Sequence, residues 1–201
     1  AAGTTLAGVG DTIQKWDDKS GNGNDASRVQ VIASVSDSGL NGTRGVYGGG
    51  GMGTGAFSQG VVSGPFTLFV VCENVTPATN NSTVLDGIGA TNRNYIIWSS
   101  PLTRLRKIPG YYPTSGTHTS SPAVICYAIK ASGASMYVDN VQVGASWTET
   151  QLNIDGVTVG SSYLFGLNWP GYIGDIIVYS DDFSTGDREN ISDKLAAKYG
   201  I

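Results

Sequence analysis

The chain has 201 residues, enough for one domain with a sizeable core. Its 12 basic and 16 acidic residues leave a net charge of −4, which speaks against general nucleic-acid binding. Charged residues make up only 14% and glycines number 29, roughly twice the usual share, which excludes a helical bundle and suits short strands joined by tight turns.

From the N-terminus, the first patterned stretch is Trp16-Asp17-Asp18-Lys19-Ser20-Gly21-Asn22-Gly23-Asn24-Asp25-Ala26, where Ser-Gly and Asn-Gly steps mark consecutive turns. Trp16 is expected to anchor this loop to the core. Residues 28–35 (RVQVIASV) read as a strand, followed by a turn at Asn41-Gly42 and by Gly45-Val46-Tyr47. The run Gly48 to Gly55 has no Lys and no following helical pattern, so it reads as a strand edge or turn and not as a phosphate cradle.

Phe66 to Val75 is the clearest strand, with Pro65 before it and Pro77 after it. Val84–Ile88, Tyr95–Ser99, Leu102–Ile108 and Ala123–Ile129 are further strands. Ser135–Val138 and Val141–Val143 form a hairpin through the two-residue turn Asp139-Asn140. Val157–Leu164 reads as a strand after the Asp155-Gly156 turn. Ile173 to Tyr179 is an apolar, β-branched run broken by Gly174 and Asp175, which reads as a central strand. Ser184, three residues before Asp187, starts a helix; Ile191, Leu195 and Tyr199 recur every four residues along it, and Gly200 sits at the C-cap.

The C-terminal stretch carries a resemblance. Gly171 to Tyr179, Phe183-Ser184 with Asp187-Arg188, and Lys194-Leu195 to Ile201 resemble the closing signature of laminin-G-like jelly-roll domains of the concanavalin A-like lectin/glucanase superfamily. The Trp16–Ala26 loop resembles the N-terminal part of the same family, in the expected order. The resemblance covers most of the chain, though residues 80–125 carry no recognised motif. It implies an all-β, antiparallel two-sheet jelly-roll sandwich with one short C-terminal helix, formed by residues 1–201 as a single domain. The family usually has a further Leu-Asp-Ala-like strand before the tryptophan. That strand is absent here, so the domain is expected to be part of a longer polypeptide.

No strand offers the paired carboxylates that glycoside hydrolysis requires. Glu73 and Asp175 are single in their strands, Asp181-Asp182 are adjacent, and His118, the one histidine, lies in a Ser/Thr-rich loop. An enzyme is therefore not expected. Asp17, Asp18, Asn22, Asn24 and Asp25 offer oxygens of the kind Ca²⁺ prefers, and several relatives in the family bind Ca²⁺. The same residue types are what successive turns require, and both readings stay open here. Cys72 and Cys126 lie in apolar strands, as two buried thiols or as a pair if the strands are neighbours.

A sugar site on a sandwich needs aromatic plates and planar polar groups. Tyr111 and Tyr112 in a proline-bounded loop, Trp169 near a turn, and Trp98, Asn94 and Arg104 along adjoining strands supply them. The function expected is non-catalytic carbohydrate recognition on an extracellular or virion surface, with a surface glycan as partner. The alternative is a structural or decorating unit of a phage particle or cell-surface appendage, with other subunits of a larger assembly as partners. No nucleic acid and no membrane insertion are expected, since no apolar run approaches the roughly 20 residues of a spanning helix.

Overall fold

The computed structural model describes residues 8–28, 33–47, 51–75, 82–88, 94–99, 102–107, 116–117, 121–147, 153–162, 164 and 166–201. Its strands, in chain order, are β1 (Lys15–Trp16), β2 (Ala26–Arg28), β3 (Ser34–Ser36), β4 (Gly45–Tyr47), β5 (Met52–Gly53), β6 (Val62–Ser63), β7 (Phe66–Asn74), β8 (Ser82–Asp86) and β9 (Asn94–Ser99). They continue with β10 (Leu102–Lys107), β11 (Gly116–Thr117), β12 (Ala123–Lys130), β13 (Gly133–Val138), β14 (Val141–Trp147), β15 (Asn153–Ile154), β16 (Thr158–Val159) and β17 (Gly171–Tyr179). The helix α1 (Thr185–Tyr199) follows. Every pairing is antiparallel.

An eight-stranded sheet runs β1-β2-β5-β16-β8-β9-β10-β11, and a seven-stranded sheet runs β14-β13-β12-β7-β17-β4-β3. The expected all-β, jelly-roll-like sandwich with a single C-terminal helix is what the chain forms. β17, the last strand, lies near the middle of its sheet, between β7 and β4.

The long apolar runs are explained by burial on both faces. On β7, Phe66, Leu68, Val70 and Cys72 enter the core between the sheets, facing Met52, Leu85 and Val159 of the other sheet. Phe69 and Val71 point the opposite way, into a second cluster beneath α1 with Val124, Cys126, Leu195 and Tyr199. A strand covered on both sides has no reason to alternate apolar with polar residues.

The register settles the cysteines. Cys72 lies opposite Ala123, and Cys126 lies opposite Phe69. One thiol therefore faces the inter-sheet core and the other the helix side, so the neighbouring strands do not bring them together, and both are free. Burial pushes the Cys126 thiol up to about 12 and the Cys72 thiol up as well. Both are thus inert as nucleophiles in the folded protein.

The helix begins and ends as its sequence requires. Ser184 Oγ accepts from the Asp187 N–H at 3.2 Å and donates to Asp187 Oδ2 at 2.6 Å. Gly200 closes α1 with φ of 65°, the left-handed conformation glycine adopts without strain. The Gly174-Asp175 break in the last strand is a bulge between Ile173 and Ile176. A Cβ at Gly174 would come within 2.6 Å of the Tyr199 ring, so the bulge makes the seat for the last turn of α1. Asp139 and Asn140, with φ of 48° and 67°, form the expected two-residue hairpin turn.

Two strand expectations are corrected. Residues 28–35 do not form one strand, because β2 belongs to the eight-stranded sheet and β3 to the seven-stranded one, so the chain changes sheet between them. Val157–Leu164 shortens to β16, because Gly160 turns the chain at φ of 73°.

Candidate functional site

The loop from Asp17 to Asp25 is held by its own side chains. Asp18 accepts from the Ser20 N–H and Oγ, each at 2.8 Å, and from the Asn24 N–H at 3.0 Å. Asp25 Oδ1 accepts from the Asp18 N–H at 2.8 Å. Lys15 sits between two carboxylates, with Nζ 3.2 Å from Asp17 Oδ1 and 2.6 Å from Asp25 Oδ2. Asn24 extends the network outward, donating to Gln59 Oε1 at 3.0 Å and accepting from the Ser58 N–H at 2.9 Å. Trp16 packs partly against the core and anchors the loop, as the sequence indicates.

In this arrangement the loop's carboxylates are bonded to its own backbone, to Ser20 and to Lys15. The carboxylate oxygens already accept backbone and hydroxyl hydrogens or face an ammonium group, whereas Ca²⁺ needs six to eight oxygens turned toward one point. Among the described residues, no group of three or more His, Cys, Asp or Glu side chains is placed to hold a metal ion. Asn22 joins through its backbone carbonyl, which accepts from Ser58 Oγ at 2.6 Å. Turn chemistry, with Lys15 as the balancing cation, accounts for all five residues.

The same bonds make the loop acid-sensitive. Hydrogen bonds from Ser20 hold the Asp18 carboxyl below its ordinary range, and Lys15 does the same for Asp25. A carboxyl lowered on folding adds stability above its unfolded pKa of roughly 3.9 and loses it as pH falls through the lower folded value. Melting curves should therefore drop more steeply below about pH 4 in the parent than in Asp18→Ala, which starts lower at neutral pH. Parallel acid limbs for the two proteins would contradict this.

Of the expected sugar-binding residues, the backbone register places Asn94, Trp98 and Arg104, and burial places Trp169. Tyr111 and Tyr112 lie outside the described residues. Asn94, Trp98 and Arg104 lie on β9 and β10, where Trp98 stands opposite Thr103 and Arg104 opposite Ile97, so the two occupy neighbouring rows and not one. Trp169 is corrected: it is 1% exposed and part of the inter-sheet core, not a surface plate. Its backbone N–H donates to the Gly160 carbonyl at 2.9 Å, which draws residues 166–170 back across the end of the sandwich and carries the indole inward.

One aromatic pair was not expected. The rings of Tyr47 and Tyr172 lie 4.9 Å apart on the outer face of the seven-stranded sheet, tilted by 51°. The alternation in Gly45-Val46-Tyr47 is the signal that places Tyr47 on the side opposite the core-packed Val46. Nothing in the sequence pairs it with Tyr172.

No family model and no curated protein matches the chain. Solved structures do match in fold. Trypanosoma rangeli sialidase in complex with sialic acid superposes with a TM-score of 0.61 at 14% identity, over 95% of this chain and 32% of that one. In its complex with a difluoro-KDN ligand the match covers 29% of the sialidase, so this chain spans about a third of that protein's length. Domain 4 of AbnA, a GH43 extracellular arabinanase from Geobacillus stearothermophilus, in complex with arabinotriose, gives a TM-score of 0.54 at 11% identity, over 91% of this chain and 82% of that one. The CBM40 of Ruminococcus gnavus IT-sialidase, bound to α2,3-sialyllactose, gives 0.50 at 12% identity, over 63% and 81%. At such identities the likeness shows the fold alone, an antiparallel β-sandwich.

Proposed function

We propose that the chain is a non-catalytic carbohydrate-recognition module of laminin-G-like type, acting on an extracellular or particle surface. The observation that carries this reading is the domain-length fold match to the arabinanase domain bound to arabinotriose, which covers 82% of that chain. The non-catalytic reading draws support from the carboxylates, several of which serve the fold. Asp175 pairs with Lys198 at 2.6 Å, Asp182 with Lys130 at 3.1 Å, and the Asp139 carboxylate accepts from the Val124 N–H at 2.8 Å. A calcium-independent site is the reading that the Lys15 ion pairs with Asp17 and Asp25 support.

A glycan array probed with the purified protein, in Ca²⁺ and again in EDTA, tests it. Selective binding of equal strength in both buffers is expected. Loss of binding in EDTA would return Asp17, Asp18, Asn22, Asn24 and Asp25 to a metal-holding role. Absence of binding in both buffers would sink the recognition reading and favour a structural or decorating unit of a larger assembly. Release of sugar from sialosides or arabinan would overturn the non-catalytic reading.

A further inference from the structure

Tyr47 is 39% exposed, although it lies on a strand that is hydrogen-bonded on both sides. It stands in a row that crosses four strands of the outer face. Ser34 lies opposite Tyr47, Tyr47 opposite Tyr172, and Tyr172 opposite Glu73. With neighbouring strands about 4.8 Å apart, the row spans roughly 14 Å.

The plate is held from behind. The turn before Leu40 lies flat against Tyr172, and a Cβ at Gly39 would fall 2.0 Å from a carbon of that ring. Tyr172 is thereby fixed, and Tyr47 leans on it with its own ring open to solvent. An aromatic ring already held in place loses little side-chain freedom when a ligand covers it. At one end of the row, Glu73 Oε2 accepts from the Leu40 N–H at 2.6 Å, which orients the carboxylate. At the other end stands the Ser34 hydroxyl. A ring flanked by a carboxylate and a hydroxyl matches the C–H face and the hydroxyls of a sugar.

Charge narrows the class. Glu73 on the row, in a chain of net charge −4, disfavours an anionic glycan by like-charge repulsion. The other markedly exposed tyrosine of this sheet is otherwise engaged: Tyr179, 36% exposed, stacks on Phe183 at 4.8 Å and meets Phe69 edge-on at 6.4 Å. It closes the sheet beside the start of α1.

From this geometry we propose that Tyr47, backed by Tyr172, is the stacking plate of a binding site for an uncharged sugar chain. The proposal rests on the carbohydrate-recognition reading and gives that function a location. Affinity gels containing arabinan or xylan, with sialyllactose resin as the anionic arm, test it on the parent, Tyr47→Ala, Tyr47→Trp and Tyr179→Ala. Far-ultraviolet circular dichroism confirms that each is folded.

A neutral polysaccharide should retard the parent, Tyr47→Trp and Tyr179→Ala, while Tyr47→Ala loses about tenfold in affinity. Equal retardation of folded Tyr47→Ala would overturn the plate and leave the recognition reading standing. Retention on sialyllactose alone would overturn the uncharged class. A parent that binds none of the probes would overturn both.

Discussion

Gly171→Ala is expected to destabilise the protein by ~3 kcal/mol or more, leaving little soluble folded material. The cause is steric, since a Cβ at this position would lie 1.9 Å from the Glu73 carbonyl oxygen, 2.8 Å from the Trp169 indole nitrogen and 3.0 Å from the Asn74 Cα. Two of these atoms belong to the backbone of β7, the strand on which both clusters are built. Neither the strand nor the buried indole can step aside without opening the core. Urea unfolding followed by tryptophan fluorescence measures the loss. A midpoint within experimental error of the parent would show that β7 and β17 yield far more easily than an interior packed at normal density allows.

The second large effect is expected at Arg188. Its side chain is 5% exposed and lies 3.7 Å above the centre of the Tyr137 ring. It donates to Asn140 Oδ1 at 3.2 Å and to Glu189 Oε1 at 3.0 Å. This one guanidinium joins α1 to the β13–β14 hairpin through stacking and through the turn residue Asn140. Arg188→Ala leaves a void under the first turns of the helix and should cost about 2–4 kcal/mol. Arg188→Lys should recover only part of that, because an ammonium group lacks the planar fork that stacks and donates together. Full recovery by lysine would reduce the residue to a charge. A loss under about 1 kcal/mol for alanine would make it a bystander.

Much of the framework is legible in local residues. Ser184, Asp187 and Gly200 mark a helix whose ends are fixed by short-range bonds. Asp139-Asn140 marks a turn that needs two left-handed residues, and Phe66–Asn74 announces itself by β-branched and aromatic content. What was not legible depends on distant partners. Trp169 reads as a loop aromatic because it neighbours Pro170 and Gly171, yet its depth is set by Gly160 and by strand β7. The cysteines read as possible partners until the register assigns them to opposite faces. In the Asp17–Asp25 loop the turn reading gains its support from Lys15, outside the motif, which sits between Asp17 and Asp25. Tyr47 escapes notice because its plate is completed by a tyrosine from the far end of the chain. A candidate binding surface on a sandwich is a property of neighbouring strands, and neighbours here are seldom consecutive in sequence.

The position of β17 bears on how the chain reaches this state. Until residues 171–179 have been synthesised, β7 and β4 lack the strand that lies between them. The bonds from Asn41 Nδ2 to the Tyr199 and Gly200 carbonyls, at 3.2 and 2.8 Å, bridge 158 and 159 positions of sequence. Contacts of such span are slow to form, because the loop they close must lose its entropy before they compensate it. The outer apolar face of β7 and β12 therefore stays uncovered until β17 and α1 have been made. Its hazard during that interval is aggregation through those strands.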